Sequence, residues 1–209
     1  MVTLAADPVA CRRPHLRVGM CRPRWDPSHA FLLTIRLLGD RPDRLAHSLQ
    51  AGKQALDIRA AVPNADRELL VSAALLHDIG YSPALVTTGF HPLDGANHLL
   101  MSGAPPRLAA LVAHHSESRF LAAAHGRLAE LARFPRENGP VMDALVHADM
   151  TAGPTGEPMS VPDRLADIAA RHASDDPNLL AARLARVPHL MAATDRVRVR
   201  LAMAAQARR

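Results

Sequence analysis

Apolar residues recur at helical spacing from Pro27 onward, in runs separated by short proline and glycine breaks, and no stretch keeps a strand-like alternation. The pattern predicts a helical bundle. One helix starts near Pro42, with Leu45, Leu49, Gly52, Leu56 and Ala60 on one stripe and His47, Ala51, Ala55 and Ile58 on the other, as expected for a helix buried from both sides. The next follows Asn64 and Asp66, read as caps, runs through RELLVSAALLHD, and is expected to stop at Gly80 as a C′ residue. Further helices are expected at about 92–102, 105–116, 118–133, 139–149, 160–173 and 177–204, the last broken at Pro188. Ser160 followed by Asp163 is a capping-box signature. Residues 1–27 are rich in proline and arginine without apolar periodicity, and read as a poorly ordered basic leader to one domain spanning 28–209.

Composition narrows this picture. With 209 residues, 48% of them hydrophobic, the chain can bury one substantial core. Only 3% of residues are aromatic and the apolar content is mostly Ala, Leu and Val, which favours an all-α fold over a sandwich or barrel. The formal charge of +5 comes almost wholly from scattered arginines, Lys53 being the only lysine. A dedicated nucleic-acid site needs a patch, so none is expected, and small phosphorylated partners use such charge better. Cys11 and Cys21 cannot form a disulfide framework, and with His15 they lack the fourth ligand of a common zinc finger. No run stays apolar for 18 residues and no export signal is visible, so the expected location is the cytoplasm, away from membranes.

The candidate chemistry lies in polar residues on apolar helices. LLHDIG ends a buried run in His77 and Asp78, an imidazole and a carboxylate of the kind that divalent transition metals take as ligands. Twelve histidines and 15 aspartates would produce about one His-Asp pair by chance, so the dyad alone says little. The ordered series around it says more: His47, His77-Asp78, His91, His114-His115 and Asp149 fall on or beside different predicted helices, the way cofactor sites are built in bundles.

The set His47, LLHDIGY around His77-Asp78 and VHADM around Asp149 resembles the HD superfamily of metal-dependent phosphohydrolases, whose pattern is H, then HD, then a distant D on an all-α core. The resemblance covers about residues 40–170. It implies an HD-domain helical bundle in which His47, His77, Asp78 and Asp149 hold one metal ion. FHPLDGANHLL and LVAHHSE resemble the two-metal extension, in which His91 and one or both of His114 and His115 hold a second ion bridged by Asp78. Asp78 would also hold the attacking water, which makes it the catalytic candidate. Lys53 and Arg119 are the expected phosphate contacts; Tyr81 and Thr151 are hydrogen-bond donors or turn residues. His98, His125, His147 and His172 have no counterpart and are expected to be structural or exposed.

Departures restrict the substrate. Tyr81 follows Gly80 where cyclic di-GMP hydrolases carry lysine, HHSESRF lacks their GYP, and HDIGYSP lacks the acidic pair of alarmone hydrolases. The short interval from His77 to His91 is closer to small hydrolases acting on nucleotides. The expectation is cleavage of a phosphoester or phosphoanhydride of a nucleotide by metal-activated water. One or two ions of manganese, iron, cobalt or zinc suit imidazole-rich ligation better than magnesium. The rival readings are a di-iron oxygenase built on the same ligand set and a non-catalytic ligand-sensing protein.

Overall fold

The computed structural model describes residues 25–207, in which ten α-helices and no β-strand occur: α1 (Pro27–Leu38), α2 (Pro42–Asp57), α3 (Arg67–Leu76), α4 (His91–Met101), α5 (Pro106–His114), α6 (Arg119–Ala124), α7 (Leu128–Leu131), α8 (Pro140–Met150), α9 (Val161–Arg171) and α10 (Pro177–Gln206). The fold is all-α. Cys11, His15 and Cys21, and the expected leader up to residue 24, lie outside the described residues. Trp25 to Pro27 do not belong to such a leader: Trp25 packs on the core, Asp26 caps α1 by accepting from the His29 amide (3.0 Å), and Pro27 opens that helix.

The centre is α3. Leu70 to Leu76 are buried without interruption, because α1, α2, α5 and α8 pack around this helix. Burying Leu70 and Leu76 completely contributes about 1.5 to 3 kcal/mol each. The helix ends at Leu76, four residues before the expected stop, since its last carbonyls find side-chain partners. Thr34 of α1 donates to the Leu75 carbonyl (2.8 Å) and His77 Nδ1 to that of Ala74 (2.7 Å). Gly80 is not a left-handed cap. It lies in a 3₁₀ turn, Ile79–Tyr81, pressed on the start of α4, where a β-carbon would sit 1.9 Å from the His91 carbonyl oxygen.

Other expectations shift for local reasons. The α2 helix is buried on its His47, Ala51, Ala55 face, while Leu56 is exposed and lines an apolar groove with Phe31 of α1. Asn64 and Asp66 form a 3₁₀ turn, and Asp66 binds Arg107 (2.5 Å) rather than capping α3. The helix expected over 118–133 is divided into α6 and α7 by left-handed Gly126 (φ +67°), with the Arg127 amide closing back on the Ala122 carbonyl (2.7 Å). Pro188, in contrast, does not break α10, which runs 30 residues along α8 and α6. The carbonyl left without its donor belongs to Leu184, a residue exposed enough for water to replace the bond. Ser160 caps α9 as read, accepting from the Asp163 amide (3.2 Å). No described helix is long and apolar enough to cross a membrane.

Candidate metal centre

Five elements deliver one cluster: His47 from α2, His77 and Asp78 from the end of α3, His91 from the first turn of α4, His115 from the end of α5, and Asp149 from α8. His47 Nε2 lies 3.1 Å from Asp149 Oδ1 and 3.2 Å from His77 Nε2. His91 Nε2 lies 3.2 Å from His115 Nε2. Asp78 stands between the two pairs, with Oδ1 3.6 Å from His77, 3.4 Å from His91 and 3.6 Å from His115, and Oδ2 3.8 Å from His47.

The outer nitrogens explain why this arrangement invites a cation. His47 Nδ1 contacts the Gly153 carbonyl (3.1 Å), His77 Nδ1 that of Ala74 (2.7 Å) and His115 Nδ1 that of Val112 (2.6 Å). A carbonyl only accepts, so each Nδ1 carries a proton, and in the neutral form that a metal requires each ring turns a bare Nε2 lone pair inward. Lone pairs then face lone pairs, and Asp149 adds another acceptor. Such groups repel unless a positive charge sits among them. Two overlapping sets could hold a metal ion, His47-His77-Asp78 and Asp78-His91-His115, the ligand atoms of each lying within 4.8 Å of one another.

Burial and neighbouring charges shift these candidate ligands. Burial pulls His91 and His115 below the usual histidine range, which keeps them neutral. Burial pushes Asp78 up, but positive charge around it, from any proton that the metal-free cluster of His77, His91 and His47 takes up and from the Arg44 guanidinium, holds the carboxyl well below the usual carboxylate range. Asp149 is likewise held down against burial by His47 and His77. Arg44 Nη1 donates to Asp78 Oδ2 (3.1 Å) and its guanidinium lies 4.1 Å over the Tyr81 ring, which in turn stacks on His91 at 3.9 Å. Tyr81 therefore orients His91.

Residues 44–175, well over half of the chain, match the HD domain family. The chain belongs to that family. Comparison with curated proteins and with solved structures finds no match.

Within the HD domain three expected site residues stand apart from the cluster. His114 turns away, its Nε2 contacting the Phe134 carbonyl (2.8 Å), because consecutive residues leaving a helix point about 100° apart and only His115 can face inward. Lys53, six residues after His47, falls on the far side of α2 and borders the apolar groove. Arg119 pairs with Glu117 (2.8 Å) at the rim of the fold instead of lining the cleft. Thr151 bonds back to the His147 carbonyl (2.7 Å), as a turn residue does.

The HD domain opens on a cleft of about 230 Å³, and this exposes residues that sequence reading missed. Arg44, Arg164, Arg171, Arg183 and Arg186 line it, as do His125 and His172. Arginines spaced three or seven apart on amphipathic helices look like a solvated face, so no sequence signal distinguished them. Ser116 was missed too. It and Glu117 have left-handed backbones (φ 48° and 54°), and this turn aims the Ser116 hydroxyl at Asp149 Oδ2. Glu117 braces the turn through Arg119 and Arg136, each at 2.8 Å.

Proposed function

We propose that this chain is a metal-dependent phosphohydrolase that cleaves a phosphoester or phosphoanhydride of a small phosphorylated substrate of the nucleotide class. The observation that carries the reading is the pair of ligand sets sharing Asp78, with inward Nε2 lone pairs that only a cation reconciles. His47, His77, Asp78 and Asp149 would hold one divalent ion, and Asp78, His91 and His115 a second. Their imidazole-rich character suits manganese, iron, cobalt or zinc better than magnesium. A bound divalent ion lowers the pKa of its water toward 7 and polarises a phosphoryl oxygen.

The chain's own groups supply the rest. Asp78 would orient the nucleophilic water through a carboxylate oxygen, while Arg44 holds that carboxylate in place. Ser116 fixes Asp149 Oδ2 and leaves Oδ1 toward His47 and His77. The cleft lining favours phosphate: five arginines line it, and although Asp78, Asp167 and Asp175 pair with four of them, Arg186 has no carboxylate partner among the described residues. That excess of positive charge is what sets this reading above an oxygenase or a purely ligand-sensing protein.

The test is metal analysis of protein purified without chelator, followed by a phosphatase and nucleotide screen with the metal it contains. Asp78→Asn should lose metal and abolish turnover of the best substrate. Near-normal turnover by Asp78→Asn, in a preparation free of contaminating phosphatase, overturns the assignment. Iron with redox-active absorption and no phosphoester turnover would favour the oxygenase.

A further inference from the structure

The α9 and α10 wall of the cleft carries Arg164, Arg171, Arg183 and Arg186. Arg171 is answered by Asp167 (2.7 Å) and Arg183 by Asp175 (2.8 Å). Arg186 has no such partner among the described residues. It is only 8% exposed, yet its one hydrogen bond runs from Nη1 to the Ser116 carbonyl (3.2 Å). Arg164, 4% exposed, reaches Asp167 through Nη1 (2.8 Å) but keeps a buried Nε with no acceptor.

A guanidinium offers five donors, and withdrawing it from water without acceptors is unfavourable. Burial pulls the Arg186 pKa down to about 10, which still leaves it charged at neutral pH. Two buried arginines with unused donors on one wall of a cleft describe a site short of an anion. Asp149 attracts Arg186 and Arg164 through space but takes no hydrogen bond from either, its oxygens facing Ser116 and His47, and Asp78 is taken by Arg44. Arg183 and Arg186 lie on α10, beyond residue 175 where the match to the HD domain ends, whereas Arg164 and Arg171 lie on α9 within it.

We propose that Arg186 and Arg164 form an oxyanion subsite that binds a phosphate group of the substrate. The assignment builds on the phosphohydrolase reading but concerns binding alone, and it puts the phosphate contacts on α9 and α10 in place of Lys53 and Arg119. Planar guanidinium forks from two helices can share a tetrahedral oxyanion through charge-assisted hydrogen bonds.

The probe is inorganic phosphate, titrated calorimetrically into the full chain in chelator at constant ionic strength, with acetate as the carboxylate control. Wild type should bind phosphate saturably and acetate more weakly. Arg186→Met and Arg164→Met should each weaken phosphate by about tenfold or more, and Arg186→Lys by less, since it keeps the charge and loses the fork. Phosphate should raise the melting temperature of wild type more than that of Arg186→Met at the same concentration. A structural role would not produce that ligand-dependent difference. No phosphate binding by wild type in chelator, or an Arg186→Met affinity within twofold of wild type, overturns the proposal; stronger binding of acetate overturns the phosphate assignment. Should Arg186→Met fail to fold, Arg164→Met and Arg186→Lys decide, and unchanged affinity in both overturns it. Arg186-dependent phosphate binding without any phosphoester turnover would sink the hydrolase reading and leave the subsite standing, whereas turnover with an unchanged KM in Arg186→Met would do the reverse.

Discussion

Replacing Gly80 with alanine puts a methyl carbon 1.9 Å from the His91 carbonyl oxygen and 2.7 Å from the Gly95 nitrogen. A carbon approaches an oxygen comfortably at about 3.3 Å, so the 3₁₀ turn and the first turn of α4 must part by about 1.4 Å. Both obstacles are backbone, and no rotamer change relieves them. His91 is the first residue of α4 and moves with it. Its Nε2 now lies 3.4 Å from Asp78 Oδ1 and 3.2 Å from His115 Nε2, while metal sites tolerate departures of only about 0.2 Å in bond length. On the proposed two-ion reading, Gly80→Ala should therefore lose the ion that Asp78, His91 and His115 would hold and keep the one on the His47 side. Metal content falls from two per chain toward one, and turnover drops about a hundredfold. Overpacking of about 1 to 3 kcal/mol should lower the melting temperature by about 5 °C or more. Plasma mass spectrometry of metal per chain and scanning calorimetry read both effects. Gly153→Ala is the control: its β-carbon would meet Glu157 Oε1 at 2.0 Å, but that carboxylate ends an exposed side chain that can swing aside. Wild-type metal content and melting temperature in Gly80→Ala would refute the reasoning.

Two further outcomes follow from placement and burial. Lys53→Ala should leave kcat and KM within about twofold, since Lys53 borders the α1–α2 groove, and Arg119→Ala should act only through Glu117, lowering kcat modestly without a selective rise in KM; steady-state kinetics showing a large KM increase for either would return it to the substrate site. Burial holds His91, His98, His114 and His115 below the ordinary value near 6.5, so below that pH the unfolded chain takes up protons that the folded chain refuses, and stability declines as pH falls. Melting curves of metal-free protein from pH 7.5 to 5.5 should shift downward, less steeply in His98→Gln; a flat profile contradicts this.

The helices and the residues that the fold gathers into the candidate metal site were legible because both are local or periodic signals. Apolar spacing marks α2 to α5 and α8 well before any packing is known, and a histidine or aspartate on such a stripe stands out. What sequence reading could not resolve depends on direction. His114 and His115 are equivalent on paper and differ only in which one leaves α5 toward the cluster. Lys53 is near His47 along the chain but about 120° around α2 from it, a rotation that helical geometry could have revealed. Gly126 carried a readable stop for α6. Pro188 looked like a break, and the packing of α10 against α8 and α6 overrode it. Arg164 and Arg186 were hidden by a different ambiguity: on an amphipathic helix a buried arginine and a solvated one have the same spelling, and only the packing of the terminal helices separates them.

The left-handed turn at Ser116 and Glu117 sets a limit on how far this protein can be stabilised without harm. Glycine or asparagine would occupy those backbone conformations more easily, by about 1 kcal/mol or more at each position. Selection for thermal resistance alone would therefore favour them. Yet the serine hydroxyl holds the metal-side aspartate, its carbonyl holds Arg186, and the glutamate is braced by two arginines. Robustness and an intact site pull in opposite directions on two adjacent residues, so a heat-tolerant variant obtained by relaxing this turn should hold metal less well and, on the proposed function, turn over more slowly, and hardening the fold is better sought in exposed positions of α1 and α10.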